Sequence, residues 1–158
     1  MGITPDRAPI ARVREAANLR PSGSGDADSG RQPRSWVVAL PAGTELLNAN
    51  QRHHWRYKAR VTKDLRETAG WAARIMRVPR LDQVRIAVEY QPPKLSRSRD
   101  GGNWAPSGKA CIDGLRDAGV LPDDDSVHVL SETYSIGEPY PKGRLVLTIT
   151  EVAGGDAR

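Results

Sequence analysis

RDGGNWAPSGKACIDGLRDAGVLPDDDS, residues 99–126, sets one helical run between two groups of aspartates. Asp100 opens it and a glycine-rich turn follows. A helical run then carries Lys109 and Asp113, Gly119 stops the helix, and three aspartates follow in a row, Asp123, Asp124 and Asp125. The spacing predicts a rigid helix of about four turns, roughly 20 Å at ~1.5 Å per residue. That helix separates two acidic clusters. They can serve one site only if the chain on either side returns them to one place.

Outward from this stretch the pattern changes period. VRIAVEY (84–90) alternates, with Val84, Ile86, Val88 and Tyr90 on one side of a strand ended by Pro92 and Pro93. VHVLSETYSI (127–136) reads as a further strand. RLVLTITEV (144–152) is a strongly β-prone last one, after a loop rich in glycine and proline. Upstream, Tyr57, Val61, Leu65, Thr68, Ala72 and Ile75 recur every three or four residues, one face of a long helix closed by Pro79. WVVALP (36–41) is a first strand. The order strand, helix, strand, helix, strand, strand predicts an α/β domain with a small mixed β-sheet and two main helices packed on it.

Residues 1–34 mix prolines with Arg, Asp, Gly and Ser and cannot bury enough apolar surface to offset chain entropy. They are expected to form a disordered arm before a single domain at 35–152, with a frayed tail at 153–158. The 158 residues suffice for one core. With no phenylalanine, four tryptophans and four tyrosines must supply the aromatic bulk. Cys111, the single cysteine, excludes a disulfide framework and reads as a small core residue. No apolar run reaches the ~20 residues of a membrane span, and no signal peptide opens the chain, so a cytoplasmic location is expected.

The net charge of +5 points towards a polyanionic partner. The excess concentrates on the long helix, where Arg56, Lys58, Arg60, Lys63, Arg66 and Arg74 outnumber Asp64 and Glu67. Before it lies a loop with Asn48, Asn50, Arg52, His53 and His54, and before Asp100 lies a basic loop with Lys94, Arg97 and Arg99. Contacts from these groups to phosphates would be salt-dependent.

No serine sits in a nucleophile elbow, and adjacent His53 and His54 do not share a face for zinc. The carboxylates carry more chemistry. Mg2+ takes oxygen ligands, commonly one or two carboxylates with phosphates and water. If the strands flanking the short helix are sheet neighbours, the two acidic clusters are expected to meet at one edge. A cation there would assist phosphodiester hydrolysis, with Lys109 neutralising charge on the phosphate. The bland alternatives are an acidic turn at 123–125 and an i,i+4 pair between Lys109 and Asp113.

KACIDGLRDAGVLPDD, Lys109 through Asp124, together with the turn at Asp100 and Asn103, resembles the RusA family of Holliday-junction resolvases, particularly its phage and prophage endonucleases. That family's pattern is an Asp-x-Asp-Asn turn, a lysine, K-A-x-x-D-x-L-x-x-A-G and a D-D pair before a strand. The likeness extends from about Trp36 to Glu151, including the asparagine-bearing loop and the last strand. It implies a Mg2+-dependent (or Mn2+-dependent) homodimeric endonuclease cutting four-way DNA junctions, encoded by a phage or prophage and acting in a bacterial cell. By position it makes Asp100 and Asp124 metal ligands, with Asp123 and Asp125 beside them, and Lys109 the catalytic lysine. The DNA-binding set would be Asn48, Asn50, Arg52, His54, Arg56, Lys58, Arg60, Lys63, Lys94, Arg97 and Arg99.

Two departures stand out. Gly102 replaces the second aspartate of the turn, and the spacing to Lys109 is longer than usual. Asn103, Asp113 or Asp125 would have to substitute for the missing carboxylate. The main rival expectation is therefore a junction-binding protein with impaired catalysis. A small-molecule phosphohydrolase and a purely structural adaptor are weaker rivals.

Overall fold

Val84, Ile86, Val88 and Tyr90 are all buried, while Arg85 and Ala87 between them are exposed. The sheet therefore has one covered face and one open face. The computed structural model describes residues 32–94 and 100–153. Most of the N-terminal arm, the arginines at 97 and 99, and the tail from 154 lie outside the described residues. The elements are β1 (Ser35–Ala39), α1 (Trp55–Ile75), β2 (Val84–Gln91), a 3-10 turn (Gly101–Trp104), α2 (Ala105–Asp117), β3 (Val129–Ile136) and β4 (Arg144–Glu151).

The sheet order is β1-β4-β2-β3. β4 runs antiparallel to both β1 and β2, and β2 and β3 are parallel neighbours joined through α2. This is a small α/β fold with two helices on a mixed four-stranded sheet. Val61 and Leu65 of α1, Cys111 and Leu115 of α2, and Leu145, Leu147 and Ile149 of β4 meet in one core. Burial pushes the Cys111 thiol up to about 12, so it is a neutral packing group at physiological pH.

The element ends differ from the sequence expectation for local reasons. β3 begins at Val129 and not Val127, because Asp125 Oδ1 accepts the backbone N–H groups of Val127 and His128 at 3.0 and 3.1 Å and holds both in a turn. α1 begins at Trp55, where His54 Nδ1 accepts the Arg56 N–H at 3.2 Å as an N-cap. Ile75, expected on the core face, is 46% exposed. The contact stripe of α1 instead runs through the small residues Ala69, Gly70 and Ala73, where the two helices cross.

Gly114 makes that crossing close. A Cβ there would run into the backbone carbonyl of Arg66, and one at Gly70 would come 3.0 Å from the Gly114 oxygen. Gly114→Ala must push α1 and α2 apart, an overpacking cost of about 1–3 kcal/mol. Thermal unfolding is expected to show a lowered midpoint for this variant. Gly119→Ala meets no neighbouring atom and tests backbone strain alone, because Gly119 has a φ of +79°.

Candidate functional site

β2 delivers the chain to Asp100 at the carboxyl end of the parallel pair. Three contacts fix the turn that follows. The Trp104 ring lies 3.9 Å from the Tyr90 ring. Gly101 presses on the β3 backbone at Tyr134 and Ser135, where a Cβ would come within 2.8 Å. Asp100 Oδ1 accepts the Gly102 N–H at 2.9 Å and caps the turn. The asparagine-bearing loop is locked onto the same turn: the Ala49 N–H donates to the Asn103 carbonyl at 2.8 Å. Buried Ser107 completes the clamp. Its Oγ accepts the Leu47 N–H at 2.6 Å and donates to the Leu47 carbonyl at 2.8 Å. Lys109, two residues further along α2, is exposed.

The other acidic group forms at the far end of α2. Asp113 lies close enough to Asp124 to share a proton with it. Burial, then that hydrogen bond, raises the Asp113 carboxyl above its ordinary value, while hydrogen bonds from Asp113 and Asp123 lower Asp124. Arg116 Nη1 sits 2.7 Å from Asp124 Oδ1 and 3.7 Å from Asp123 Oδ1, so a cation already occupies this carboxylate group. Lys109 makes no ion pair with Asp113 among the described residues; Asp113 engages Asp124 instead.

The sign of the pH dependence follows. A carboxyl raised on folding makes the folded state bind the extra proton, so stability falls as pH rises from the ordinary carboxylate value towards the raised one. Asp124, lowered, has the opposite sign: its contribution is present above the ordinary value and is lost as pH falls. Asp113→Asn removes the repelled charge. Its unfolding midpoint is expected above that of the wild type at pH 7, with the gap closing towards pH 3, where Asp113 is protonated anyway.

The expectation that both acidic clusters meet at one edge is corrected by the sheet. β2 and β3 are neighbours, but they are parallel. Asp100 therefore follows the carboxyl end of β2, whereas Asp123–Asp125 precede the amino end of β3. The 13 residues of α2, about 20 Å, lie between the groups. Among the described residues of one chain, no three His, Cys, Asp or Glu side chains gather closely enough to hold a metal. Asp125 spends its Oδ1 on the 127–128 turn, and Asp123 Oδ1 accepts the Asp124 N–H at 2.8 Å. Asp100 and Asn103 stand before the start of α2, and Asp113, Asp123 and Asp124 gather towards its far end.

The basic helix is also less open than its composition suggests. Arg60 pairs with Glu45 at 2.8 Å and Asp64 at 3.4 Å, Lys63 with Glu67 at 3.9 Å, and Arg66 with Asp117 at 2.8 Å. Arg52, Arg56 and Lys58 have no carboxylate partner among the described residues, and neither has Arg74 in the last turn, so the densest uncompensated charge of α1 lies at its start. Asn48 Oδ1 accepts the Asn50 N–H at 2.9 Å and is a turn former. Asn50, His54 and Lys94 are exposed.

Sequence reading missed Ser107, Trp104 and Arg116. Ser107 looks like any helix serine, and only its zero exposure marks it. Arg116 lies one turn from Asp113, but its hold on Asp124 depends on how the chain returns after Gly119.

No protein-family model matches the chain, and no curated protein matches its sequence. Among the described residues no helix is long and apolar enough to cross a membrane.

Proposed function

We propose that this chain is a RusA-like, Mg2+-dependent endodeoxyribonuclease that cuts branched DNA, with four-way junctions as substrate and a homodimer as its working form. The observation that supports it most is the clamp at the Asp100 turn. Ala49–Asn103 and Ser107–Leu47 hold the loop leading to Arg52 and His54 against the turn that bears a carboxylate. Phosphodiester hydrolysis needs that juxtaposition of metal-binding oxygen and phosphate-binding cation.

Mg2+, when bound, supplies an activated water and charge stabilisation. The chain's own residues do the rest. Arg52, Arg56 and Lys58 position the backbone without reading sequence. Lys109 places a cation one turn from the Asp100 turn. The length of α2, about 20 Å, between Asp100 and Asp124 gives the proposed dimer a specific role: a twofold pair that brought Asp100 of one copy to Asp123 and Asp124 of the other would form two equivalent sites.

Gly102 favours a second reading, a junction binder without catalysis, because only one carboxylate stands in the turn. A synthetic four-way junction with and without Mg2+ separates the two. Paired cuts lost in Asp124→Asn support the nuclease. Tight, salt-sensitive binding without cutting supports the binder, and no binding at all refutes both.

A further inference from the structure

We infer that Trp55 is a stacking platform for an unstacked nucleobase, so that the protein holds an exposed base at the branch point as well as the phosphates around it. The inference rests on the DNA-binding reading above and goes beyond it. Five large apolar side chains among the described residues are strongly exposed, and Trp55, at 67%, is the most exposed of them. Its indole takes no part in the core cluster. It opens α1, directly after the loop that the Asn103 and Ser107 contacts fix to the Asp100 turn. The Arg56 guanidinium lies 5.3 Å from its centroid and the His54 ring 5.7 Å away.

Charge complementarity names the occupant. Arg52, Arg56 and Lys58 lie within three residues of Trp55 and have no carboxylate partner among the described residues, whereas Arg60, Lys63 and Arg66 further along α1 are paired and only Arg74, in its last turn, is not. A protein or lipid occupant could use the apolar ring, but a nucleic acid uses ring and free cations together. Every base offers a π-face, and its phosphates follow at backbone spacing. A base inside a continuous duplex cannot reach the indole face. A base at a branch or in a single strand can, so the platform favours branched over linear DNA.

The test is fluorescence anisotropy with a labelled four-way junction, a single-stranded oligonucleotide and a linear duplex, across a salt series. The full-length wild type, Trp55→Ala, Trp55→Phe, Arg56→Ala and Trp71→Ala are compared. Trp71 is the control, an indole 58% exposed and four turns further along the same helix. Trp55→Ala is expected to bind the junction and single strand about tenfold more weakly, as loss of one stacked base does, with its salt slope unchanged. Trp55→Phe is expected to recover most of that affinity. Arg56→Ala should lower the salt slope by about one unit. Unchanged junction affinity in Trp55→Ala, or an equal loss in Trp71→Ala, overturns the inference while leaving the nuclease reading intact. No DNA binding by the wild type overturns both. Circular dichroism checks that each variant is folded.

Discussion

Mixing Asp100→Asn protein with Asp124→Asn protein is expected to restore junction cleavage that neither variant shows alone. The expectation comes from the parallel pairing of β2 and β3, which puts the two aspartates at opposite ends of α2. A site assembled from Asp100 of one copy and Asp124 of another is intact once in every mixed dimer, because both substitutions fall in the second site. Random exchange makes roughly half of the dimers mixed. Nicking of a single strand should return to a substantial fraction of wild-type activity, from a background reduced by a hundredfold or more, on the scale of losing a group that stabilises developing charge. The outcome that sinks the two-chain site is a mixture as inactive as its components, since a site within one chain leaves every dimer with two damaged centres. Both variants should still bind junction DNA, because neither aspartate belongs to the cationic loop.

Gly102→Asp is expected to increase metal affinity and Mg2+-dependent cleavage. Gly102 is exposed, and a Cβ built there meets nothing nearer than Asp100 Oδ1 at 3.3 Å. An added side chain there presses only on the Asp100 carboxylate, which must give by a few tenths of an ångström, and sets a second carboxylate beside it. Two adjacent carboxylates repel in the apo protein and attract a divalent cation. Their charge should tighten Mg2+ binding by on the order of tenfold. Calorimetric titration with Mg2+ and cleavage at limiting Mg2+ measure it, with Gly102→Ala as the control for backbone effects. If Gly102→Asp binds Mg2+ no better than Gly102→Ala, the Asp100 turn is not a metal half-site. In apo protein the same variant should unfold at a slightly lower temperature at neutral pH, and added Mg2+ should reverse that difference.

Local pattern carried much of the architecture. Alternation in 84–90 gives a half-buried strand wherever it is placed, because successive side chains point to opposite faces. The three- and four-residue spacing from Tyr57 onward gives a helix for the equivalent reason, and Gly119 with its positive φ ends the second one. The aspartates, Lys109 and the basic residues were likewise legible as residue types suited to phosphate and Mg2+. Ile75 broke the pattern: it is the last residue of α1 and stays 46% exposed, beyond the crossing at Gly70 and Gly114.

Direction was not legible. Sequence could say that strands flank α2, and it could even anticipate that they are neighbours. Whether their neighbouring ends are like or unlike depends on hydrogen bonds between residues more than 40 positions apart, such as the Val84 N–H to the His128 carbonyl at 2.8 Å. Charge pairing was hidden for the same reason. Arg60 looks as free as Arg56 in the sequence, yet Glu45 reaches it from the preceding loop, and Arg116 meets Asp124 only after the chain turns back. By itself the sequence determined the elements and the chemical kinds of group this protein offers. The tertiary structure alone decided which end of α2 each group occupies and which cations remain unpaired, because both depend on contacts that no local spacing encodes.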